Sequence, residues 1–267
     1  AAVSSAVALA DRDDRARHFK GLVNAVARRI GTERKAVLAA QDAEIANTPV
    51  WAWSAWVTAY GEQTARAIAK SHMAEPSLDI TVKDDPAAWA QRLEAKILPT
   101  GTLRRAPGGR IEDLPGYAEG AWWVQDAAAA IPARLLGDVK DKSVVDLCAA
   151  PGGKTAQLAS FGAKVVAVDH AFDRMKRVMA NLSRLNLSAE IEVADALEWR
   201  PKAPADAVLL DAPCTGTGTI RRHPDILRLK RPADITKLAP LQYKMLENAV
   251  RMVNVGGLVV FCTCSLE

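Results

Sequence analysis

The sequence predicts an α/β protein whose C-terminal half is built on a parallel β-sheet. From Lys142 onward, short apolar runs alternate with segments of helical spacing, which is typical of parallel strands joined by crossover helices. We interpret five runs as strands: SVVDL, KVVAVD, EIEVAD, AVLLD and LVVFCTCS. The chain has 267 residues, 49% of them hydrophobic, and is therefore long enough to form a hydrophobic core around such a sheet.

Composition limits the classes of protein that the chain can represent. It contains no run of about 18 apolar residues, so we expect no membrane-spanning helix. Four cysteines are too few for a disulfide framework and are grouped late in the chain, which favours reduced thiols and a cytoplasmic location. A net charge of +4 and a pI of 8.9 are compatible with an RNA partner without requiring one. We expect a monomer.

The N-terminal third is predicted to be helical. Apolar residues at helical spacing predict a first helix that ends at Gly31 and a second helix over residues 51–72. The second helix carries several tryptophans, which we interpret as packing residues rather than as a platform for stacking RNA bases.

A change of period after residue 75 predicts a different kind of unit. The run LDITV alternates like a strand, residues 84–97 return to helical spacing, and PTGTLRRAPGG is rich in turn residues. A further helix is predicted over residues 120–136. The predicted organisation is a helical segment over 1–75, a small α+β unit over 76–118 and the main α/β domain over 119–267.

Acidic residues follow four successive predicted strands: Asp146, Asp169, Asp195 and Asp211. Ligands of open parallel sheets bind at the carboxyl ends of the strands. One acid at a strand end is ordinary, because Asp favours turns and helix caps. Four in succession indicate a ligand that is rich in hydrogen-bond donors.

The turn after the first strand, DLCAAPGGKT, predicts a nucleoside site. Pro151, Gly152 and Gly153 would let backbone N–H groups approach a ligand at the start of a helix. The turn is not a phosphate-binding loop, because Cys148 stands where that motif requires Gly, and it is not GxGxxG. Asp169 is spaced to bind ribose hydroxyls. The pattern favours S-adenosylmethionine, with another nucleotide or a purely structural turn as the alternatives.

Two cysteines are predicted to meet at the same edge of the sheet. Cys214, in DAPCTGTG, and Cys264, in FCTCS, follow neighbouring strands. Their spacing does not match the common zinc sites or a C-x-x-C redox pair, which leaves buried fillers or nucleophiles. A thiolate that adds to carbon 6 of cytosine makes carbon 5 nucleophilic enough to accept a methyl group from a sulfonium. Asp211 could stabilise the charge that develops near ring N3, and a second thiol could assist release.

These motifs together resemble the RsmB/NOP family of RNA 5-methylcytosine methyltransferases, in particular its bacterial branch that acts on 16S ribosomal RNA. The resemblance rests on DLCAAPGGKT, on DAPCTGTG followed by RRHPD, and on the final TCS, and it covers roughly residues 116–267. It implies a Rossmann-like S-adenosylmethionine-dependent sheet that lacks its last strands. Upstream, KGLVNAVARRI is similar to the segment that closes the family's NusB-like RNA-binding domain. Because only the end of that domain fits before residue 50, we expect a fragment of a longer protein.

The resemblance also implies roles for individual residues. It makes Cys264 the nucleophile and Cys214 the thiol needed for product release, while Cys262 has no assigned role and is expected to lie within the sheet. No metal is implied. The implied contacts of S-adenosylmethionine are Cys148, Ala149, Ala150, Pro151, Gly152, Gly153, Lys154, Asp169, Asp195 and Asp211.

The expected partner is small-subunit ribosomal RNA. In RRHPD, Arg221 and Arg222 are the candidates for phosphate contacts, with a basic loop that caps the next helix as the alternative. A methyltransferase of the same fold acting on transfer RNA or another RNA stays open, as does a non-catalytic RNA-binding assembly factor.

Overall fold

The computed structural model describes residues 2–267 and divides between Lys70 and Ser71 into two compact units. The first unit is helical, and its α1 packs against α2. Its helices are α1 (Ala2–Arg12), α2 (Lys20–Ala39), α3 (Ala43–Asn47), α4 (Val50–Tyr60) and α5 (Glu62–His72), the last of which crosses into the second unit.

Two glycines behave differently from the sequence prediction in these helices. The predicted end of a helix at Gly31 is wrong: α2 continues through it, because a glycine in a helix interior costs only about 1 kcal/mol relative to alanine. The predicted single helix over 51–72 is also wrong. Gly61, with φ of 78°, ends α4 before α5 begins. Trp56 is fully buried, consistent with a packing role for it.

A small antiparallel sheet opens the second unit. Its strands are β1 (Leu78–Val82), β2 (Lys96–Ile97), β3 (Leu103–Arg105) and β4 (Trp122–Val124), in the order β2-β3-β1-β4, with α6 (Pro86–Arg92) between the first two. The helix predicted over 84–97 therefore ends early and gives way to β2. The helix predicted over 120–136 is wrong in its first part, because Trp122 and Trp123 are buried side chains of a strand, and only α7 (Ile131–Leu135) is helical there.

A five-stranded parallel sheet forms the rest of the second unit, which confirms the predicted α/β fold class. Its elements are β5 (Ser143–Leu147), α8 (Gly153–Ser160), β6 (Lys164–Asp169), α9 (Phe172–Arg184), β7 (Glu190–Val193), β8 (Ala205–Asp211), α10 (Ile226–Leu229), α11 (Pro232–Val250) and β9 (Val253–Cys262). The strand order is β7-β6-β5-β8-β9, and every pair is parallel. The chain runs outward from β5 in both directions, so the switch point where ligands bind lies between β5 and β8.

Both faces of the parallel sheet are covered, as parallel strands require. On one face, Leu147 and Leu210 pack with Met245 of α11, and on the other, Val144 and Leu209 pack with residues of α7 and α8. Burying each such side chain stabilises the fold by roughly 1.5–3 kcal/mol. The sheet is thus a rigid base from which the loops at its carboxyl edge project.

A buried amide network joins the small sheet to α8. The Trp123 Nε1 donates to Gln125 Oε1 at 3.0 Å, and Gln125 Nε2 donates to Gln157 Oε1 at 2.9 Å. Gln157 Nε2 in turn donates to the carbonyl of Ala130 at 2.8 Å. Because buried amides are costly unless satisfied, this network fixes where α8 and the turn before it lie.

Candidate functional site

The turn between β5 and α8 is held by backbone conformation and by contacts to β6 and α9. Cys148 has φ of 61° and Gly152 has φ of 101°. A Cβ at position 152 would lie 3.1 Å from the Val178 side chain of α9, so any other residue would be both strained at this φ and crowded. The Ala150 N–H donates to Asp169 at 3.3 Å, and Arg174 donates to the Ala150 carbonyl at 2.6 Å. The backbone of the turn is therefore fixed before any ligand binds.

Asp169 and Asp195 occupy different environments at the sheet edge. Asp169 ends β6 with its side chain only 1% exposed, and its second oxygen accepts from the Ala171 N–H at 3.0 Å. Asp195 lies two residues past β7, is exposed, and accepts from the Leu197 N–H at 2.9 Å. Asp169 thus lies next to the cofactor turn and also holds its backbone by a hydrogen bond. The ligand contacts of both acids stay predictions.

Asp146 is a buried acid near the end of β5. It is fully buried, and Thr155 of α8 donates its hydroxyl to Oδ2 at 2.6 Å. The other oxygen, Oδ1, has no hydrogen-bond partner within residues 2–267. Burial raises the pKa of Asp146 to about 7, although Thr155 and Lys154 act in the opposite direction. The sequence places this acid at a strand end but does not show that it is fully buried.

Lys154 and Asp211 form an ion pair between the cofactor turn and the cysteines. Lys154 Nζ lies 2.7 Å from Asp211 Oδ2, and its side chain is only 14% exposed. Burial would lower the pKa of Lys154, but the neighbouring Asp211 outweighs it and the pKa is raised, so the ammonium is charged. Asp211 Oδ1 also lies 3.6 Å from the sulfur of Cys262. The pair presents a cation and an anion at one place on the edge.

Cys214 and Cys264, which were predicted to meet at this edge, are in contact. The Sγ atoms of Cys214 and Cys264 lie 3.3 Å apart, with Cys264 exposed and Cys214 half-buried. The S–H of Cys264 stabilises a thiolate on Cys214 and lowers the pKa of Cys214 to about 6. The same hydrogen bond, together with burial, raises the pKa of Cys264. The pair therefore loses its first proton easily and holds the second one firmly. The catalytic roles of both residues stay predictions.

The remaining two cysteines are different. Burial raises the pKa of Cys148 to about 12, and burial followed by the charge of Asp211 raises the pKa of Cys262 to about 12. Cys262 is the last residue of β9, as expected, and is paired in register with Asp211. Burial and the nearby carboxylates therefore oppose ionisation of both thiols.

A set of hydrogen bonds joins the loop after Cys214 to the segment after β9. Ser265 Oγ accepts from the Thr215 N–H at 3.0 Å and from the Gly216 N–H at 3.3 Å. The Gly218 N–H donates to the Cys264 carbonyl at 2.8 Å. A Cβ at position 218 would lie 2.8 Å from that oxygen, so the close approach needs glycine. We call residues 214–218 and 264–267 the cysteine loops. The sequence predicted that the two cysteines meet but carries no pattern that marks these hydrogen bonds.

The two arginines predicted to bind RNA both contact the protein itself. Arg221 donates to the Glu75 carbonyl at 3.0 Å, and its buried Nε has no partner in the described part of the chain. Arg222 forms an ion pair with Asp126, which also accepts from the Ala128 N–H at 2.8 Å. Their role in binding RNA stays a prediction, and these contacts compete with it.

Within residues 2–267, no three side chains of His, Cys, Asp and Glu converge as a metal site would require. None of the helices in the same range combines the length and the apolar character that a membrane span requires.

The sheet order, with its cofactor turn and row of acids, defines a Rossmann-like methyltransferase fold. The chain is similar to the crystal structure of PH0851, with a TM-score of 0.74 and 30% identity over 82% of this chain and 53% of that one. It is also similar to a methyltransferase homolog from Pyrococcus horikoshii, with a TM-score of 0.67 and 27% identity over 78% of this chain and 70% of that one. These likenesses confirm the predicted fold.

The chain belongs to the 16S rRNA methyltransferase RsmB/F family, whose model matches residues 133–267. A curated relative, ribosomal RNA small subunit methyltransferase B of Cronobacter sakazakii, is 35% identical over 93% of this chain and 62% of its own length. The chain thus spans about three fifths of that relative. The predicted family is confirmed, and the family is one of S-adenosylmethionine-dependent methyltransferases.

Proposed function

We propose that this chain carries the catalytic domain of an enzyme that methylates carbon 5 of a cytosine in 16S ribosomal RNA. The observation that carries the proposal is the 3.3 Å contact between Cys214 and Cys264 at the carboxyl edge of the sheet. The name of the family supports small-subunit ribosomal RNA as the substrate. A nucleophile with a second thiol beside it fits a reaction in which a covalent adduct both forms and breaks.

The turn and the acids around it fit S-adenosylmethionine. The turn offers backbone groups at the start of α8, and Asp169 and Asp195 lie at the neighbouring strand ends. The buried Asp146 leaves one oxygen without a partner in the described residues, as expected of a site that completes its hydrogen bonds with a ligand. Bound there, the cofactor would supply the methyl group as a sulfonium.

The thiol pair provides the activation that the reaction needs. In the pair, Cys214 holds the negative charge and Cys264 holds the proton. As the Cys264 sulfur bonds to carbon 6, its proton passes across 3.3 Å to Cys214, and the electron pair of the ring double bond moves to carbon 5. Negative charge develops on the ring at the same time. The ammonium of Lys154, held by Asp211, lies at this edge to stabilise that charge.

Release of the methylated product reverses the proton transfer between the two thiols. Once carbon 5 is methylated, its proton leaves to water at this exposed edge and the bond between sulfur and carbon 6 breaks. Cys264 departs as a thiolate and takes the proton back from Cys214. Without Cys214, the adduct forms slowly, because Cys264 then ionises as an ordinary thiol, and it lacks the group that assists its breakdown.

Two variants and one sequencing experiment test this proposal. With the methyl donor and small-subunit RNA, Cys214→Ala is expected to accumulate a covalent protein–RNA adduct on a denaturing gel, and Cys264→Ala to form none. The matched control, Cys262→Ala, should neither trap an adduct nor lose activity. An adduct in Cys264→Ala would overturn the assignment of the nucleophile. Bisulfite sequencing of ribosomal and transfer RNA from cells with and without the gene then identifies the methylated base. Loss of a methylated cytosine from transfer RNA alone would overturn the proposed substrate.

A further inference from the structure

We propose that Ser265 is a positioning residue that keeps Cys214 and Cys264 together as one proton-sharing pair. This inference rests on the proposed function and deepens it, because it names the group that holds the catalytic thiols in contact. Ser265 follows Cys264 directly in the chain, and its hydroxyl contacts the two residues that follow Cys214. One side chain thus bridges the two cysteine loops next to both sulfur atoms.

The geometry around the Ser265 hydroxyl explains why a small hydroxyl side chain is needed. Its oxygen accepts from two successive backbone N–H groups, those of Thr215 and Gly216, at 3.0 and 3.3 Å. The same oxygen lies 2.6 Å from the hydroxyl of Thr215. Thr215 is buried, so its N–H would lose its acceptor if the hydroxyl were removed.

The direction of the hydrogen bonds is set by Glu267. Its carboxylate oxygen Oε2 accepts from Thr215 at 2.6 Å and from Thr217 at 2.9 Å. Because Thr215 gives its only hydroxyl proton to this carboxylate, Ser265 must donate its own proton to Thr215. The result is a chain of donors that runs from Ser265 through Thr215 to Glu267 and orders both cysteine loops.

The contact between the thiols depends on this order. Neither sulfur lies within a strand: β8 ends at Asp211 and β9 ends at Cys262, so each thiol is carried by a loop. A single hydrogen bond between two sulfur atoms does not by itself fix the position of both loops. Ser265 supplies additional contacts beside it, because its oxygen accepts from two backbone N–H groups of the other loop.

The test measures the midpoint of thiolate formation at Cys214 in the free protein, from the pH dependence of alkylation followed by mass spectrometry of its peptide. Ser265→Ala is expected to raise the midpoint by about one pH unit or more, since the thiolate loses its fixed S–H donor. Ser265→Thr, which keeps the hydroxyl, should restore the parent midpoint. The matched control is Thr219→Ala, because the Thr219 hydroxyl donates to the Gly216 carbonyl rather than across to the segment after β9, and its removal should leave the midpoint unchanged.

The same variants are then compared in the rate of adduct formation with RNA. We expect Ser265→Ala to lower this rate about tenfold at neutral pH with little change in RNA affinity, because only the pair is disturbed. If Ser265→Ala does not fold, Thr215→Val, which removes one hydroxyl and keeps both N–H groups, should shift the midpoint in the same direction. An unchanged midpoint in the folded variant, or failure of Ser265→Thr to restore it, would refute the inference. Since the midpoint is measured without RNA or methyl donor, its outcome is independent of the proposed reaction.

Discussion

Removal of the Cys264 thiol is predicted to change the acidity of Cys214 far more than its reactivity at neutral pH. In the pair, the pKa of Cys214 is lowered from 9.0 to about 6 by the Cys264 S–H. In Cys264→Ala that donor is absent, so the pKa should return toward the value of a free thiol. The thiolate fraction at pH 7 then falls from roughly 90% to about 1%, a loss of almost a hundredfold.

The gain in intrinsic nucleophilicity offsets most of that loss. A thiolate becomes more nucleophilic as its pKa rises, with a Brønsted slope of about 0.4–0.5, so a rise of about three units increases the rate of the thiolate itself roughly 16- to 32-fold. The observed alkylation rate of Cys214 at pH 7 should therefore fall only about three- to sixfold. A single rate measurement would miss the effect, whereas the midpoint of the pH profile should move by about three units.

The assay is therefore a full pH profile of alkylation, with each cysteine peptide quantified separately. The peptides of Cys148 and Cys262 serve as internal references, because burial raises the pKa of both thiols to about 12. Cys262→Ala should leave the Cys214 midpoint where it is. A midpoint that stays near 6 in Cys264→Ala would refute the reasoning, since it would show that groups other than the Cys264 thiol lower the pKa of Cys214.

Three further predictions concern charged groups around the site. The pKa of Asp146 is raised from 3.8 to about 7, so between these pH values the folded state keeps a proton that the unfolded state loses. The free energy of unfolding should therefore fall by on the order of 4 kcal/mol as the pH rises through this range. Asp146→Asn should lack this fall in urea unfolding, and an equal pH dependence in both proteins would contradict the burial argument. Lys154→Met leaves Asp211 without its cation and should lower the methyl-transfer rate about a hundredfold or more in a single-turnover assay. The circular dichroism spectrum should stay unchanged. A normal rate would show that Lys154 does not stabilise the charge on the ring. Arg222→Asp should lower the free energy of unfolding by about 0.2–1 kcal/mol, and adding Asp126→Arg should restore it. The salt dependence of RNA binding should stay unchanged in both variants. If Arg222 instead contacts a phosphate, Arg222→Asp would reduce that salt dependence and Asp126→Arg would not restore it.

The sequence predicted the elements that depend on local pattern and missed the contacts that depend on the fold. All five parallel strands were visible as short runs between helical segments. In β5, β6 and β8 these runs are almost continuously apolar, because most of their residues are buried, whereas in β7 the apolar residues alternate with glutamates. The pairing of Lys154 with Asp211 joins residues 57 positions apart, and a lysine next to a glycine-rich turn looks the same whether it binds a ligand or an acid. Ser265 is similarly inconspicuous, since a lone serine carries no periodicity. Such contacts follow from register and loop geometry, which a single sequence does not contain.

The two cysteines of FCTCS show how the end of a strand separates residues that the sequence pattern places together. In a continuous strand, Cys262 and Cys264 would share a face because side chains alternate with a period of two. However, β9 ends at Cys262, whose register partner is Asp211. Beyond that point the backbone is free of the sheet, and the Cys264 carbonyl accepts from the Gly218 N–H instead of from a strand partner. The first thiol therefore faces a carboxylate that opposes its ionisation, whereas the second faces another thiol with which it can exchange a proton. Two residues of the same type acquire opposite chemistry because one is the last residue of the strand and the other lies beyond it.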